Sequence, residues 1–93
     1  MFDRILRRMR DKIRTREYIV TLHAEEEKDA EELSIFDLES CILSGDITER
    51  QRDEYTKEWK YRIAGRGVSG RKIEIISRIG SSGKLIIITV YLV

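Results

Sequence analysis

Apolar residues recur at helical spacing near the start of the chain and alternate with polar residues near its end. The helical spacing predicts a basic amphipathic helix within residues 1–16. Its apolar positions are Phe2, Ile5, Leu6, Met9 and Ile13. Two further helices are predicted after Thr21 and Ser34, because each of these residues is a favoured N-cap. Gly45 is expected to end the third helix in the left-handed conformation.

Beyond Gly45 the spacing of apolar residues changes to that of strands. Four strands are expected, at residues 46–52, 59–64, 71–79 and 84–93. The last strand is rich in β-branched residues and should lie inside the sheet or be covered, because an exposed apolar edge aggregates. The segment Gly65–Gly70 is expected to be a hairpin loop, since it joins two strands and opens no helix.

The chain is therefore predicted to be a single α+β domain, 1–93, with N-terminal helices packed on one face of an antiparallel sheet of about four strands. The second helix should bury only a thin stripe that includes Leu22. Alternation directs Trp59, Tyr61 and Ile63 toward the helices. The other face should be cationic, with Glu74 as its one carboxylate. Its members are Lys60, Arg62, Lys72, Glu74, Ile76 and Arg78.

The net charge is +1, but the charges are unevenly distributed. Residues 1–24 carry seven bases and three acids, residues 25–58 carry four bases and thirteen acids, and residues 59–93 carry seven bases and one acid. Either the acidic middle neutralises the basic ends in the fold, or the basic ends form a surface for an anionic partner. The first helix is likewise either a core helix with a solvated basic face or a surface for nucleic acid or membrane.

The composition limits the available chemistry. One histidine, His23, and one cysteine, Cys41, are too few for a metal site, so neither a metal nor a cofactor is expected. Cys41 is expected to be a small core residue, and without a disulfide partner it indicates a reducing cytoplasm. The N-terminus lacks the apolar run of a secretory signal, and no apolar segment is long enough to span a bilayer, so no membrane partner is expected.

The side chains are compatible with metal-free RNA cleavage. That reaction requires a base for the 2′-hydroxyl, cations that stabilise the phosphorane and an acid for the leaving oxygen. The candidate catalytic residues are His23, Arg62, Glu74, Arg78 and Tyr91. The candidate nucleic-acid-binding residues are Lys60, Arg66, Arg71 and Lys72. Each has a plainer interpretation, because sheet arginines are commonly solvated and a single histidine commonly caps a helix or packs in the core.

Five motifs along the chain form a recognisable set. They are Tyr18-x-x-Thr21-x-His23-Ala24, Ser34-Ile35-x-Asp37-Leu38-Glu39, Ile42-Leu43-Ser44-Gly45, Trp59-x-Tyr61-Arg62-x-x-Gly65 and Ile87-Ile88-Thr89-Val90-Tyr91. Together they resemble a family of short bacterial domains of unknown function that is placed beside the RelE/ParE-like toxins, including the BrnT and MqsR types. The resemblance covers residues 17–93 and implies a RelE-like α+β fold, with His23 and Tyr91 at matching motif positions.

Two functional hypotheses follow. The first is a RelE-like toxin or toxin-related RNA-binding protein that acts as a metal-independent mRNA endoribonuclease, as the resemblance implies. The alternative is a non-catalytic protein-interaction module or a small homo-oligomer. The candidate partners are RNA, an antitoxin protein and a second copy of the chain.

Overall fold

The computed structural model describes all residues, Met1–Val93, as three helices and one five-stranded sheet. The helices are α1 (Asp3–Arg14), α2 (Leu22–Ala30) and α3 (Ile35–Ser44). The strands are β1 (Tyr18–Val20), β2 (Asp46–Arg52), β3 (Trp59–Arg66), β4 (Lys72–Ile79) and β5 (Leu85–Leu92). Their order across the sheet is β1-β5-β4-β3-β2. The α+β class is therefore confirmed.

The sheet has one strand more than expected and is mixed rather than antiparallel. β1 pairs in parallel with the first half of β5, with Tyr18 opposite Leu85 and Val20 opposite Ile87. Three residues are too few to give a periodic signal, so the sequence indicates only an extended segment there. The addition of β1 places β5 inside the sheet, as its apolar composition requires.

One hydrophobic core lies between the helices and one face of the sheet. The first helix buries Leu6, Met9 and Ile13, and Met9 is fully buried. Its apolar stripe therefore faces the core as predicted, and its basic side faces solvent. The core residues from the other elements include Leu38, Ile42, Ile63, Ile75, Ile87 and Val90. None of the three helices has the length and apolar character needed to cross a membrane.

The predicted N-caps are confirmed, whereas the predicted role of Gly45 is wrong. Thr21 accepts a hydrogen bond from the Ala24 N–H, and Ser34 forms a capping box with Asp37. Gly45 is extended, with φ −92° and ψ −175°. A Cβ on Gly45 would lie 2.4 Å from the Ala64 carbonyl oxygen. The end of α3 packs directly against the backbone of β3. Glycine is therefore required at position 45 by this close approach of the two backbones and not by a left-handed turn.

The second helix contacts the core differently from the prediction. Its buried residue is Ala24, and Leu22 is 75% exposed. The helix runs along the edge of β5, so only the small Ala24 side chain fits between it and the core. The hairpin loop is also shorter than predicted, because Gly65 lies within β3.

Alternation along β4 is regular where it pairs with β3, with Ile75 opposite Ile63 and Ile76 opposite Arg62. A register shift between Ile76 and Ser77 interrupts the pairing of β4 with β5. Ser77 is fully buried with its hydroxyl 3.8 Å from the Met9 sulfur. Ile76 lies on the same face as Arg62, as predicted, but is only 7% exposed. Trp59 lies on the helix side of the sheet, as predicted, but is 39% exposed, because it lies at the end of the sheet beside Arg50.

Candidate functional site

The face of the sheet opposite the core, here called the open face, holds four polar side chains that we name the Arg62 cluster. Its members come from β2, β3, β4 and β5 respectively: Glu49, Arg62, Glu74 and Tyr91. Glu49 lies opposite Arg62, and Glu74 lies opposite Tyr91, in the strand pairing. Because cross-strand neighbours on one face come within contact distance, the pairing of the strands assembles the cluster.

Arg62 lies between two carboxylates. Its Nη1 donates a hydrogen bond of 2.9 Å to Glu74 Oε1, and its Nε lies 3.2 Å from Glu49 Oε2. The Nε is buried and has no aligned hydrogen bond, so its contact with Glu49 is electrostatic. The side chains of Arg62 and Glu74 are 32% and 19% exposed, which limits solvent screening of their pair. The guanidinium is therefore held in place over the sheet.

Tyr91 completes the cluster. The centre of its ring lies 5.7 Å from the guanidinium carbon of Arg62. Burial, together with a hydrogen bond to Glu74, raises the pKa of Tyr91 above its usual value. A phenol with a raised pKa stays protonated at neutral pH and is available as a proton donor. The cluster thus brings a cation, a carboxylate and a protonated phenol together.

The open face carries more carboxylates than expected. Arg78 forms an ion pair with Glu58, and Lys60 Nζ lies 3.8 Å from Asp53 Oδ2. The prediction of a cationic face with Glu74 as its only carboxylate is therefore wrong. The additional acids come from β2 and the loop that follows it, and they pair with cations on β3 and β4. Lys60 and Arg78 lie on this face but in ion pairs separate from the Arg62 cluster.

The other predicted nucleic-acid-binding residues lie around the hairpin that joins β3 and β4. Arg66 and Arg71 each donate to a backbone carbonyl, over 2.9 Å and 3.1 Å respectively, and Lys72 is exposed without an ion pair. Arg66 and Lys72 line a hollow of about 610 Å³ that Glu74 also lines. The hollow therefore places two cations beside one end of the Arg62 cluster.

His23 lies apart from the other candidate catalytic residues. It is in the first turn of α2, its side chain is 67% exposed, and its Nε2 is 3.3 Å from Glu27 Oε1. No hydrogen bond or ion pair joins it to the Arg62 cluster. The structure thus brings together Arg62, Glu74 and Tyr91 but not His23.

Glu49 is the member of the cluster that sequence reasoning missed. Strict alternation predicts that Ile47 and Glu49 share one face of β2. A register shift between these two residues instead leaves Ile47 against the core and turns Glu49 toward Arg62. The bulge has no glycine or other marker in the sequence, so the pattern of residues alone could not reveal it.

Cys41 is fully buried in the core, as predicted. Burial raises the pKa of its thiol to about 12, so the nucleophilic thiolate is strongly disfavoured at neutral pH. No group of three or more His, Cys, Asp and Glu side chains is arranged to hold a metal ion.

Comparison with known proteins gives one family match. The model of a family described as a domain of unknown function, DUF4258, matches residues 20–92. The match includes all members of the Arg62 cluster and excludes α1. No curated protein and no solved structure shows significant similarity to the chain.

Proposed function

The chain belongs to the DUF4258 family of domains of unknown function, and we propose that it is a toxin-related RNA-binding protein that cleaves mRNA without a metal ion. In this proposal the fold is RelE-like, the protein acts in the cytoplasm, and an antitoxin is its protein partner. The proposal is supported chiefly by the Arg62 cluster, in which groups suited to each part of the reaction lie side by side.

The cluster supplies the proton transfers of the reaction. Glu74 takes the proton of a ribose 2′-hydroxyl, and the 2′-oxygen forms a bond to the adjacent phosphorus. The bond from phosphorus to the 5′-oxygen then breaks, and Tyr91 donates its proton to that oxygen. The products are a 2′,3′-cyclic phosphate and a 5′-hydroxyl. Transfer of the proton from Glu74 to Tyr91 restores both groups.

Arg62 stabilises the charge that develops on the phosphorane. Glu49 is 51% exposed and moves away as a phosphoryl oxygen takes its place beside the Arg62 Nε. The contact between Arg62 and Glu74 keeps the guanidinium in position during this exchange. Arg66 and Lys72, which line the adjoining hollow, bind the neighbouring phosphates.

The proposal is tested by incubating the purified protein with a 5′-labelled RNA in the presence of EDTA. We expect fragments that end in a 2′,3′-cyclic phosphate. Tyr91→Phe should lower the cleavage rate by about 100-fold or more, because it removes the proton donor. The matched control is Tyr55→Phe, since Tyr55 is 96% exposed and lies outside the cluster. Its rate should equal that of the unmodified protein.

Two results would contradict the proposal. One is RNA cleavage that Tyr91→Phe leaves unchanged, which would place the chemistry elsewhere. The other is the absence of cleavage of any RNA by a protein that circular dichroism shows to be folded. An RNA with a single 2′-deoxynucleotide at the cleavage position provides the substrate control, because it lacks the attacking hydroxyl.

A second candidate function, a non-catalytic interaction module or small homo-oligomer, is favoured by one observation. Phe36 and Leu43 lie seven positions apart on α3 and are 60% and 38% exposed, so they share one side of the helix. An apolar strip of this kind suits a protein contact. Light scattering would detect a dimer, and Phe36→Ser should dissociate it if the strip forms the interface.

A further inference from the structure

A groove between α1 and the outer end of the sheet combines arginines with aromatic rings. Two adjoining hollows, of about 260 and 350 Å³, form it and share Ile5, Arg8 and Tyr61. We name it the arginine groove. The charged and aromatic residues that line it are one glutamate, Glu58, three arginines and three aromatic residues: Arg4, Arg8, Arg50, Phe2, Trp59 and Tyr61.

The arginines of the groove are free to bind an anion. Arg4, Arg8 and Arg50 form no ion pair, in contrast to the cations of the open face. The glutamate in the lining is Glu58, and its carboxylate is paired with Arg78 on the open face. The groove therefore carries uncompensated positive charge.

The aromatic rings hold the arginines in position. The guanidinium of Arg50 lies 3.9 Å above the Trp59 ring, and that of Arg52 lies 5.1 Å from the same ring. A guanidinium stacked on a ring keeps its N–H groups directed outward in the guanidinium plane, available for a phosphate. Phe2 and Tyr61 meet edge to face at 5.9 Å and form the wall of the first hollow.

We propose that the arginine groove binds single-stranded nucleic acid, with phosphates on the arginines and bases against the aromatic side chains. A cationic groove with aromatic rings is the combination that single strands require. Arg4 and Arg8 are one helical turn apart, and Arg50 and Arg52 are two strand positions apart, so each pair projects from one side of its element. Arg52 lies outside the two hollows but beside the Trp59 ring, so its guanidinium extends the path for successive phosphates that Arg4, Arg8 and Arg50 line.

A membrane surface does not fit the groove. An amphipathic helix that binds a bilayer inserts its apolar side among the lipids. In α1 that side consists of Leu6, Met9 and Ile13, all of which are buried in the protein core. The Asp and Glu side chains of an acidic peptide would pair with the arginines, but they have no flat rings to place against the aromatic residues.

This site is separate from the Arg62 cluster. Neighbouring residues of β2 point to opposite faces, so Glu49 lies in the cluster while Arg50 and Arg52 lie on the helix side. The groove also depends on α1, which lies outside the residues that match the family. The inference therefore goes beyond the proposed cleavage reaction and can hold or fail independently of it.

The test measures the binding of a fluorescent RNA of about 12 nucleotides by anisotropy. With four phosphate contacts, raising the salt concentration from about 50 mM to about 200 mM should weaken binding about 50-fold. The double variant Arg4→Ala/Arg8→Ala removes two contacts, and the same change in salt should then weaken binding only about sevenfold. The matched control, Arg7→Ala/Arg14→Ala, removes equal charge from exposed positions of the same helix and should keep the salt dependence of the unmodified protein.

Three results would overturn the inference. The first is that RNA binding by the control Arg7→Ala/Arg14→Ala loses as much of its salt dependence as binding by Arg4→Ala/Arg8→Ala. That result would indicate a general charge effect. The second is competition by inorganic polyphosphate or a polyglutamate peptide as strong as that by unlabelled RNA, because neither competitor has bases. The third is the absence of RNA binding at low salt. RNA binding by the unmodified, folded protein that is followed by no cleavage would support the groove and contradict the proposed reaction.

Discussion

The carboxylate of Glu27 accepts a hydrogen bond of 3.0 Å from the backbone N–H of Val90. β1 covers only the first half of β5, and α2 lies along the second half. Thr21 extends the cover, since its N–H donates to the Ile87 carbonyl and its hydroxyl to the Ile88 carbonyl, each over 3.1 Å. Glu27 of α2 and the N-cap residue Thr21 thus satisfy an edge that would otherwise be open to another strand.

We expect Glu27→Ala to lower the free energy of unfolding by about 1–3 kcal/mol, because it leaves the buried Val90 N–H without an acceptor. Glu27→Gln is the control, since its amide oxygen reaches the same N–H. Urea denaturation of the two variants measures the difference. Equal stability of the alanine and glutamine variants would show that the hydrogen bond contributes nothing.

His23→Gln is expected to change the free energy of unfolding by less than about 0.5 kcal/mol, because the side chain is mostly exposed. RNA cleavage by this variant should continue at the rate of the unmodified protein, since His23 has no contact with the Arg62 cluster. Thermal denaturation and the cleavage assay, applied to the same sample, check both expectations. Loss of cleavage at unchanged stability would instead return His23 to the catalytic site.

Gly65→Ala should destabilise the protein by about 3 kcal/mol or more, because the new methyl group meets backbone atoms that cannot rotate away. A Cβ on Gly65 would lie 2.2 Å from the Cys41 carbonyl oxygen and 3.0 Å from Gly45 Cα. In the control Gly80→Ala, the Cβ would lie 2.7 Å from the terminal carbon of Ile86, a flexible side chain. Gly80→Ala should therefore lower the free energy of unfolding by less than about 1 kcal/mol. Similar denaturation midpoints for Gly65→Ala and Gly80→Ala would contradict the close packing of α3 on β3.

The elements with a long periodic signal were predictable from the sequence. Four of the five apolar positions lie in α1 and the fifth, Phe2, is its N-cap. β2 begins and ends at the predicted residues, Asp46–Arg52. β1 was not among the predicted strands, because three residues carry no period and its parallel pairing depends on residues far along the chain. Tertiary contacts, and not local preference, make Tyr18–Val20 a strand.

The candidate site was predictable only in part, for a similar reason. Alternation along regular strands correctly placed Arg62 and Glu74 on one face. The bulge in β2 reversed the direction of Glu49, and the loop after β2 brought Glu58 to Arg78. The arginine groove joins α1 to β2, so it depends on how distant elements pack. Ion pairing and packing between distant residues decided which cations remained free.

Alkaline pH should destabilise the protein through the buried thiol of Cys41 and the half-buried phenol of Tyr18. Burial raises the pKa of Cys41 from 9.0 to about 12. Burial and the hydrogen bond to Glu39 raise the pKa of Tyr18 from 10.0 to about 12. In the unfolded chain both groups ionise at their ordinary pKa values. In the folded protein they stay protonated until the pH approaches about 12. The unfolded state therefore binds fewer protons, and the free energy of unfolding should fall as the pH rises from about 9 to about 12.

Urea denaturation at about pH 8, pH 9.5 and pH 11 measures this fall. In Cys41→Ala the free energy of unfolding should fall less between about pH 9 and pH 10. In this range the unfolded chain ionises mainly at the thiol of Cys41, since the phenol of Tyr18 ionises at higher pH. In the native protein at about pH 8, Cys41 should react with a thiol reagent only as fast as the chain unfolds, because its sulfur is fully buried. A stability that stays constant up to about pH 11, or rapid labelling of the native thiol, would contradict the placement of Cys41 in the core.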